Sequence, residues 1–435
     1  MTNPLHKAFA DRMQIQLGEE FPAFLRALDM PALRGIRFNP FKIIQGEPLN
    51  GIEQPVPWAR NAWYLCNQSQ AGATVLHEAG AFYLQEPCAM FPAEVLDAQP
   101  GEKILDLCAA PGGKSTQIGC AMQGQGLLVC NEPVYKRAVI LSRNIERIGL
   151  PHTVVTCAQP EQLAGRWPGL FDAVLVDVPC SGEGMFRRDP LTRGEWSPEQ
   201  AAGCVARQRK ILSSAAEMVR PGGRLIYSTC TYNPEENEKN AEWFLKNNPD
   251  YEPEAFSLPE IDAPEGHYTC YPHRLKGEGQ FAAKFRRKGT GGTSGSGTCR
   301  FPVPDSMQLS LLRNQFPSFP KPTFLFGQTL VHSPGCPDLA GIKTLRVGLH
   351  LGEFRGTAFI PDHAAALCIH TPEIQTKDLL PEEAIRYTAG ETLLSSEEGW
   401  ILIRYRGIAA GWGKCSGGIV RNHYPKGLRK NHLLP

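Results

Sequence analysis

From residue 99 to 287, short apolar runs alternate with longer amphipathic stretches, and this alternation constrains the chain more than any other feature. KILDL, LLVCN, HTVVT, FDAVLVD and RLIYS have the length and β-branched content of strands. KSTQIGCAMQ, EPVYKRAVILSRNIERIG, SPEQAAGCVARQRKILSSAAEMVR and PEENEKNAEWFLKN separate them with helical spacing. Strands joined through helices pair in parallel, so an α/β, doubly wound sheet is expected. Two extended segments flank PHRLKGEG and read as an antiparallel hairpin at its edge.

In an open sheet of this kind, ligands bind at the carboxyl ends of the strands. Two cysteines fall there. Cys180 follows Asp177 in VLVDVPCSGEGMF, and Cys230 follows RLIYST. Two thiols at that edge, one beside an acid, point to covalent catalysis. The chain has 14 cysteines but no C-x-x-C, which argues against a zinc ribbon or a thioredoxin-like motif. No metal is therefore expected. The start MTNPLHKAFADRMQ lacks a signal-like apolar core, and no apolar run approaches ~18 residues, so neither secretion nor membrane spanning is expected. A cytoplasmic setting with reduced thiols follows, and most cysteines read as small buried hydrophobes.

KILDLCAAPGGKSTQ places a glycine-containing turn between a strand and a helix, where free N–H groups and the helix dipole favour an anionic or electron-rich ligand. Its spacing matches neither G-x-G-x-x-G nor the P-loop. Glu132, at the tip of the next strand, can hydrogen-bond ribose hydroxyls, so the pair reads as a nucleoside site. Asp177 can hold the N3 and amine edge of a cytosine, or simply cap a helix. A thiolate adding at C6 of cytosine makes the ring enamine-like, so that C5 accepts a methyl group from a sulfonium donor. Lys114 or a helix N-terminus can lower the pKa of such a thiol.

The flanks differ from this core. Residues 1–98 read as a mostly helical extension, within which Arg34, Arg37 and Lys42 interleave with Phe38 and Phe41, either to grip RNA or as a solvated edge over core phenylalanines. KGTGGTSGSGTCR, residues 288–300, reads as a flexible linker. Residues 301–378 form a small module containing a strand pair in TLRVGLHLGEFRGTAFIP, and 379–435 a second. Lys plus Arg number 45 against 44 Asp plus Glu, so net charge is silent about nucleic acid and only its distribution informs. From Ile401 onward Arg404, Arg406, Lys414, Arg421, Lys426, Arg429 and Lys430 meet no acid, with Tyr405, Trp412 and Tyr424 among them, a pattern that favours RNA over a merely solubilising tail. Arg187 and Arg188 in FRRDP are candidates for phosphate contact.

CAAPGGKST, NEP, DVPCSGEGMF and YSTCTYNPEENE, in this order and spacing, closely resemble the Sun-type (NSUN) RNA cytosine-5 methyltransferases. PHRLKGEGQFAA and SGGIVRNHYPKGLRK resemble the bacterial RsmF-like branch, which modifies 16S ribosomal RNA. The resemblance implies a class I, Rossmann-like, S-adenosylmethionine-dependent core over 99–287, followed by α+β and PUA-like modules. It implies that Cys108, Ala109, Ala110, Pro111, Gly112, Gly113 and Lys114 hold S-adenosylmethionine, that Glu132 binds its ribose, and that Asp177 lies near the reactive end. Cys230 would be the nucleophile and Cys180 would assist release; in the DNA enzymes the cysteine of the PC motif attacks instead. Gln159 stands where the family usually places an aspartate against the adenine, and its carbonyl can still accept from the adenine amine. The expected partner is 16S rRNA or the small ribosomal subunit, met by a monomer. Two other readings stay open: a DNA cytosine-5 methyltransferase, and an RNA-binding assembly factor with a dead site. Methyl transfer to RNA against duplex DNA separates the first, and absence of turnover would favour the second.

Overall fold

The computed structural model describes residues 5–47, 49–189, 191–291, 301–333, 335–368 and 374–430. Its centre is a nine-stranded sheet, built from β1 (Lys103–Asp106), β2 (Leu127–Asn131), β3 (Thr153–Thr156), β4 (Phe171–Asp177), β5 (Val219–Thr229), β6 (Tyr251–Pro253), β7 (His267–Cys270), β8 (Gln280–Arg287) and β9 (Thr344–Val347). The order is β6-β8-β5-β4-β1-β2-β3-β9, with β7 also on β8. β1 to β5 are the five strands read from the sequence, and they pair in parallel. Helices cover both faces, so the strand interiors are apolar without alternation: Val154, Val155, Val174, Leu175 and Val176 are all fully buried.

The chain runs outward from β1 through β2 to β3, then returns to β4 on the other side of β1. This reversal opens a crevice at the carboxyl ends of β1 and β4, where no crossover helix covers it. The glycine turn follows β1 and leads into α1 (Gly113–Ala121); Glu132 follows β2 and precedes α2 (Tyr135–Ile148). The Cys180 loop follows β4, and after it comes α3 (Pro198–Met218), which starts on Pro198 with the Ser197 hydroxyl accepting from Gln200 N–H. β7 and β8 form the antiparallel pair expected around PHRLKGEG.

The extension before β1 mixes helix with sheet, its later helices being the short Val75–Glu78 and Phe91–Leu96. Helices Lys7–Leu17 and Phe21–Asp29 give way to an antiparallel sheet in the order Ile52–Pro55, Ala62–Leu65, Arg34–Phe38, Phe82–Gln85. The expected mostly helical extension is therefore corrected: the β-branched and aromatic residues of RGIRF, AWYL and FYLQ pair as strands. The two helices bury Phe9, Met13, Phe24 and Leu28 against Phe186, Trp196, Tyr232 and Tyr271, that is, against the loops carrying the cysteines.

Of the Gly/Ser/Thr-rich stretch, residues 292–300 lie outside the described residues. Beyond it, helix Ser306–Gln315 and a four-stranded sheet (Phe324–Phe326, Thr329–His332, Leu349–Arg355, Ala358–Pro361) form one unit. TLRVGLHLGEFRGTAFIP makes three strands rather than the expected pair. Gly348, at φ +59°, redirects the chain so that β9 leaves this unit and pairs with β3, and a Cβ there would stand 2.5 Å from the His332 carbonyl oxygen. The last sheet runs Thr376–Asp378, Gly399–Tyr405, Ile408–Ser416, Ile419–Asn422, Leu393–Leu394. Its inner residues Ile401, Ile403 and Ile408 share a core with Ile36, Leu65 and Phe82 of the N-terminal sheet. Among the described residues no helix is long and apolar enough to cross a membrane.

Candidate active site

The two cysteine loops are stitched into one unit. Ser181 N–H donates to Glu236 at 2.9 Å, Gly184 N–H to the Cys230 carbonyl at 2.9 Å, and the Ser181 and Thr231 hydroxyls meet at 2.9 Å. Glu236 is fully buried and also accepts from Gln208 of α3. This brings Cys180 Sγ to 3.1 Å from Cys230 Sγ, with Cys230 N–H donating to Cys180 Sγ at 3.3 Å. The contact with Cys230, then burial, push the Cys180 thiol well above the ordinary cysteine range.

Beside them Lys114 Nζ donates to Asp177 Oδ2 at 2.7 Å. Burial pulls the Lys114 pKa down, but the Asp177 carboxylate outweighs it and the net shift is upward. Lys114 is thus a fixed positive charge. Asp177 Oδ1 accepts from Gln280 Nε2 at 3.2 Å, and Gln280 also donates to Ser228 at 2.6 Å. Gln280, from β8, was not singled out in the sequence.

A cleft of about 200 Å3 runs along the glycine turn, lined by Cys108 to Pro111, Gly113, Lys114, Asp177, Asp106, Tyr83 and Arg188. A larger hollow of about 500 Å3 near Trp58, Arg60 and Phe256 contains none of the residues picked out by sequence. Gly112 has φ +112°, a conformation that favours glycine, and a Cβ on Gly113 would stand 3.2 Å from the Gln85 side chain, which would have to shift slightly. The half-buried Cys108 thiol is pushed far up by burial and is chemically quiet.

Asp106 at the end of β1 is the residue sequence reasoning missed. It is 1% exposed, its Oδ2 accepts from Ser115 at 2.6 Å, and its Oδ1 has no hydrogen-bond partner among the described residues. Burial raises its pKa to about 7. An unpartnered buried carboxyl oxygen beside a cleft suits a ligand bearing positive charge, as a sulfonium amino-acid cofactor does. Asn131, also missed, donates to the carbonyls of Leu107 and Ala158 at 3.2 and 3.0 Å, tying together the loops after β1 and β3. Only the aspartate of KILDL, repeated as the last residue of β4, offered a local signal.

Glu132 is 1% exposed rather than a surface glutamate; it accepts from Val134 N–H at 2.9 Å and pairs with Arg137 at 3.3 Å. Arg137 also donates to the Ala110 carbonyl at 3.0 Å, linking the two predicted cofactor segments. Gln159 is exposed and caps the helix Pro160–Arg166 by its backbone. The preceding residue but one, Cys157, donates its N–H to the Lys343 carbonyl at 2.8 Å, so the segment leading into β9 braces this loop.

Other expectations divide. Arg37 is buried and donates to the Gly113 carbonyl and the Thr116 hydroxyl, both at 2.9 Å; Lys42 is buried on the carbonyls of Ala79 and Arg147. Arg34 donates to the carbonyls of Asn67 and Ser69. Arg37 and Lys42 therefore hold the fold and are not available to grip RNA, while Arg34 ties a loop at the surface. Of the tail aromatics, Tyr405, Trp412 and Tyr424 are core residues, 4%, 1% and 3% exposed.

Comparison with known proteins covers the chain in four segments. Residues 93–286 match the family model for 16S rRNA methyltransferase RsmB/F, and 5–87 the N-terminal domain of 16S rRNA methyltransferase RsmF. Residues 311–369 match the RsmF rRNA methyltransferase first C-terminal domain, and 376–430 the methyltransferase RsmF PUA domain. The chain is 29% identical to a ribosomal RNA small subunit methyltransferase F of Escherichia coli O7:K1, over 98% of each chain, and equally so to that of Shigella sonnei. Among solved structures, a methyltransferase homolog protein from Pyrococcus horikoshii is 28% identical with a TM-score of 0.56, covering 65% of this chain and 95% of its own. NSun6 from the same organism, solved with SFG, shares the fold at 20% identity and a TM-score of 0.55, covering 66% of this chain and 99% of its own.

Proposed function

The chain belongs to the Sun-type methyltransferases, in the bacterial RsmF-like branch, and we propose that it methylates C5 of cytosine in 16S ribosomal RNA through a covalent adduct with Cys230. The observation that carries this reading is the 3.1 Å approach of two free thiols beside the Lys114–Asp177 pair, at the carboxyl edge of the sheet. As in its family, the cofactor is S-adenosylmethionine, which supplies an electrophilic methyl group when bound.

The residues present fit that cofactor. Cys108, Ala109, Ala110, Pro111 and Gly113 line the cleft, and the Asp106 oxygen without a partner among the described residues would suit the positive charge of that cofactor. Glu132 would take the ribose hydroxyls, sharing its carboxylate with Arg137, and Gln159 the adenine edge.

The sulfur of Cys230 adds to C6 of the target cytosine, and the C5–C6 electron pair takes up the methyl group at C5. Asp177, held by Lys114 and Gln280, accepts from the exocyclic amine and fixes the ring. The C5 proton then leaves to a base, its bonding pair restores the double bond, and the Cys230 sulfur is expelled. Cys180, in contact with Cys230, handles the proton that accompanies release. A base stacked in a helix cannot reach both thiols, so locally opened RNA is the substrate. The chain acts as a cytoplasmic monomer, where its thiols stay reduced.

Methyl-labelled cofactor with 16S rRNA, followed by nucleoside analysis, tests the reading. Label in 5-methylcytidine is expected; label in duplex DNA instead, or none in either nucleic acid, would overturn it.

A further inference from the structure

Two adjacent arginines beyond Cys180 have opposite fates. Arg187 is enclosed: its guanidinium pairs with Glu278 at 2.8 Å and donates to the carbonyls of Gly277 and Ala27 at 2.8 and 3.2 Å. Arg188 is exposed, lines the cleft with Lys114 and Asp177, and makes no hydrogen bond or ion pair among the described residues.

The surrounding charges are already committed. Lys114 is on Asp177, Arg137 on Glu132 and the Ala110 carbonyl, Arg37 on Gly113 and Thr116, and Arg193 on the carbonyls of Phe186 and Leu28. The acids are occupied too. Glu86 accepts three backbone N–H groups, from Cys88, Ala89 and Glu278, and Asp189 turns back to cap Leu191 N–H. Among the described residues lining this cleft, Arg188 is therefore the cation left for an arriving anion, on a backbone that Arg187 pins in place.

We propose that Arg188 binds a phosphate of the RNA strand next to the target cytidine. This rests on the reading of the preceding subsection. Bringing a base out of its stack rotates the backbone beside it, so an adjacent phosphate must pass the rim of the pocket. A planar guanidinium grips phosphate through two parallel hydrogen bonds, and the anchored neighbour means little order has to be gained on binding. The cofactor carboxylate is the competing occupant, because Arg188 shares its cleft with the glycine turn, and the salt slope and the KM for each substrate separate the two.

The test is Arg188→Ala against the wild-type chain, by RNA binding without turnover and by methyl transfer, each over a series of salt concentrations. The expected result is about tenfold weaker binding of 16S rRNA. The slope of log affinity on log salt becomes shallower by ~0.7 to 0.9, the value of one phosphate contact. The loss falls on KM for RNA rather than on kcat, and Arg188→Lys restores the slope. An unchanged affinity and slope would overturn the proposal, as would a rise in KM confined to S-adenosylmethionine. If the wild type binds RNA but transfers no methyl group to it, the reaction assignment fails, while the binding comparison still decides the role of Arg188.

Discussion

The sulfur of Cys180 lies 3.1 Å from that of Cys230 and also accepts the Cys230 backbone N–H at 3.3 Å. Its hydrogen bond to Cys230 and its burial keep the Cys180 thiol protonated far above neutral pH, and a protonated thiol is a poor nucleophile. A protonated thiol in contact with Cys230 suits the release role proposed for Cys180. Cys180→Ala leaves the attacking sulfur in place and removes its proton-handling neighbour, so an RNA-linked band is expected to accumulate on a denaturing gel with cofactor and small-subunit RNA. Cys230→Ala is expected to form none. Trapping by the Cys230 variant instead would give the attack to Cys180, as in the DNA enzymes.

Asp106 links cofactor binding to pH. Its folded-state pKa of about 7 stands above the ordinary 3.8 because burial disfavours the charged form. Between those values the native state holds a proton that the unfolded chain has lost, so this group's contribution to stability declines as pH rises through the window. Affinity for a cationic cofactor moves the other way, gaining as Asp106 ionises. Asp106→Asn is expected to melt progressively higher relative to wild type as pH goes from 5 to 8, and to bind S-adenosylmethionine more weakly at pH 8 by calorimetry. Equal affinity at pH 8 would remove Asp106 from the cofactor site.

The five parallel strands and the edge positions of Cys180 and Cys230 were legible because strand length, helix spacing and strand-end position are local properties of a buried parallel sheet. What escaped depends on distant partners. Asn131 matters through carbonyls 24 and 27 residues away, and Arg37 reads as RNA-facing until the turn at Gly113 closes over it. Tyr405 and Trp412 look like stacking platforms in a basic tail, yet the period of their strands sends them into cores shared with other parts of the chain. β9 lies almost 190 residues after the strand it pairs with, and nothing in TLRV itself distinguishes the catalytic sheet from the local hairpin.

The N-terminal helix holds both cysteine loops at once. Arg12 pairs with fully buried Glu183 at 2.7 Å, Glu183 accepts from Tyr232 N–H at 3.2 Å, and Gln16 donates to the Tyr232 carbonyl at 3.1 Å. Removing Arg12 strands the Glu183 charge. Opening a fully buried pair costs ~3–5 kcal/mol, and because Arg12 is 24% exposed a loss of ~2–3 kcal/mol is expected for Arg12→Ala in denaturant unfolding. The loops should loosen with it, so kcat falls while KM for S-adenosylmethionine stays close to wild type. A variant as stable and as fast as wild type would show that the helix does not set the loops.

The exposed part of the C-terminal sheet carries a different cation set from the one its sequence advertises. Arg404 is tied to Asp378, Arg406 to the carbonyls of Gln45 and Glu47, Arg429 to the Tyr424 carbonyl, and Lys430 to Glu78. Of the cations, Lys414, Arg421 and Lys426 remain, and the strand register places Trp400, Lys414 and Arg421 side by side across three strands. Lys414 Nζ lies 5.5 Å from the centre of the Trp400 ring, and the His423 ring packs 4.5 Å from it on the same edge. A half-buried indole flanked by two exposed cations can stack a base while neutralising its backbone. Lys414→Ala with Arg421→Ala is expected to weaken 16S rRNA binding and to make its salt slope shallower by ~1.4 to 1.8, two phosphates' worth. Trp400→Ala should weaken binding by ~1–3 kcal/mol with the salt slope unchanged, because stacking releases no counterions. Both variants leave the cleft untouched, so their loss should fall on RNA affinity and not on cofactor affinity. RNA binding that survives all three substitutions at full strength would move the contact surface of this module elsewhere.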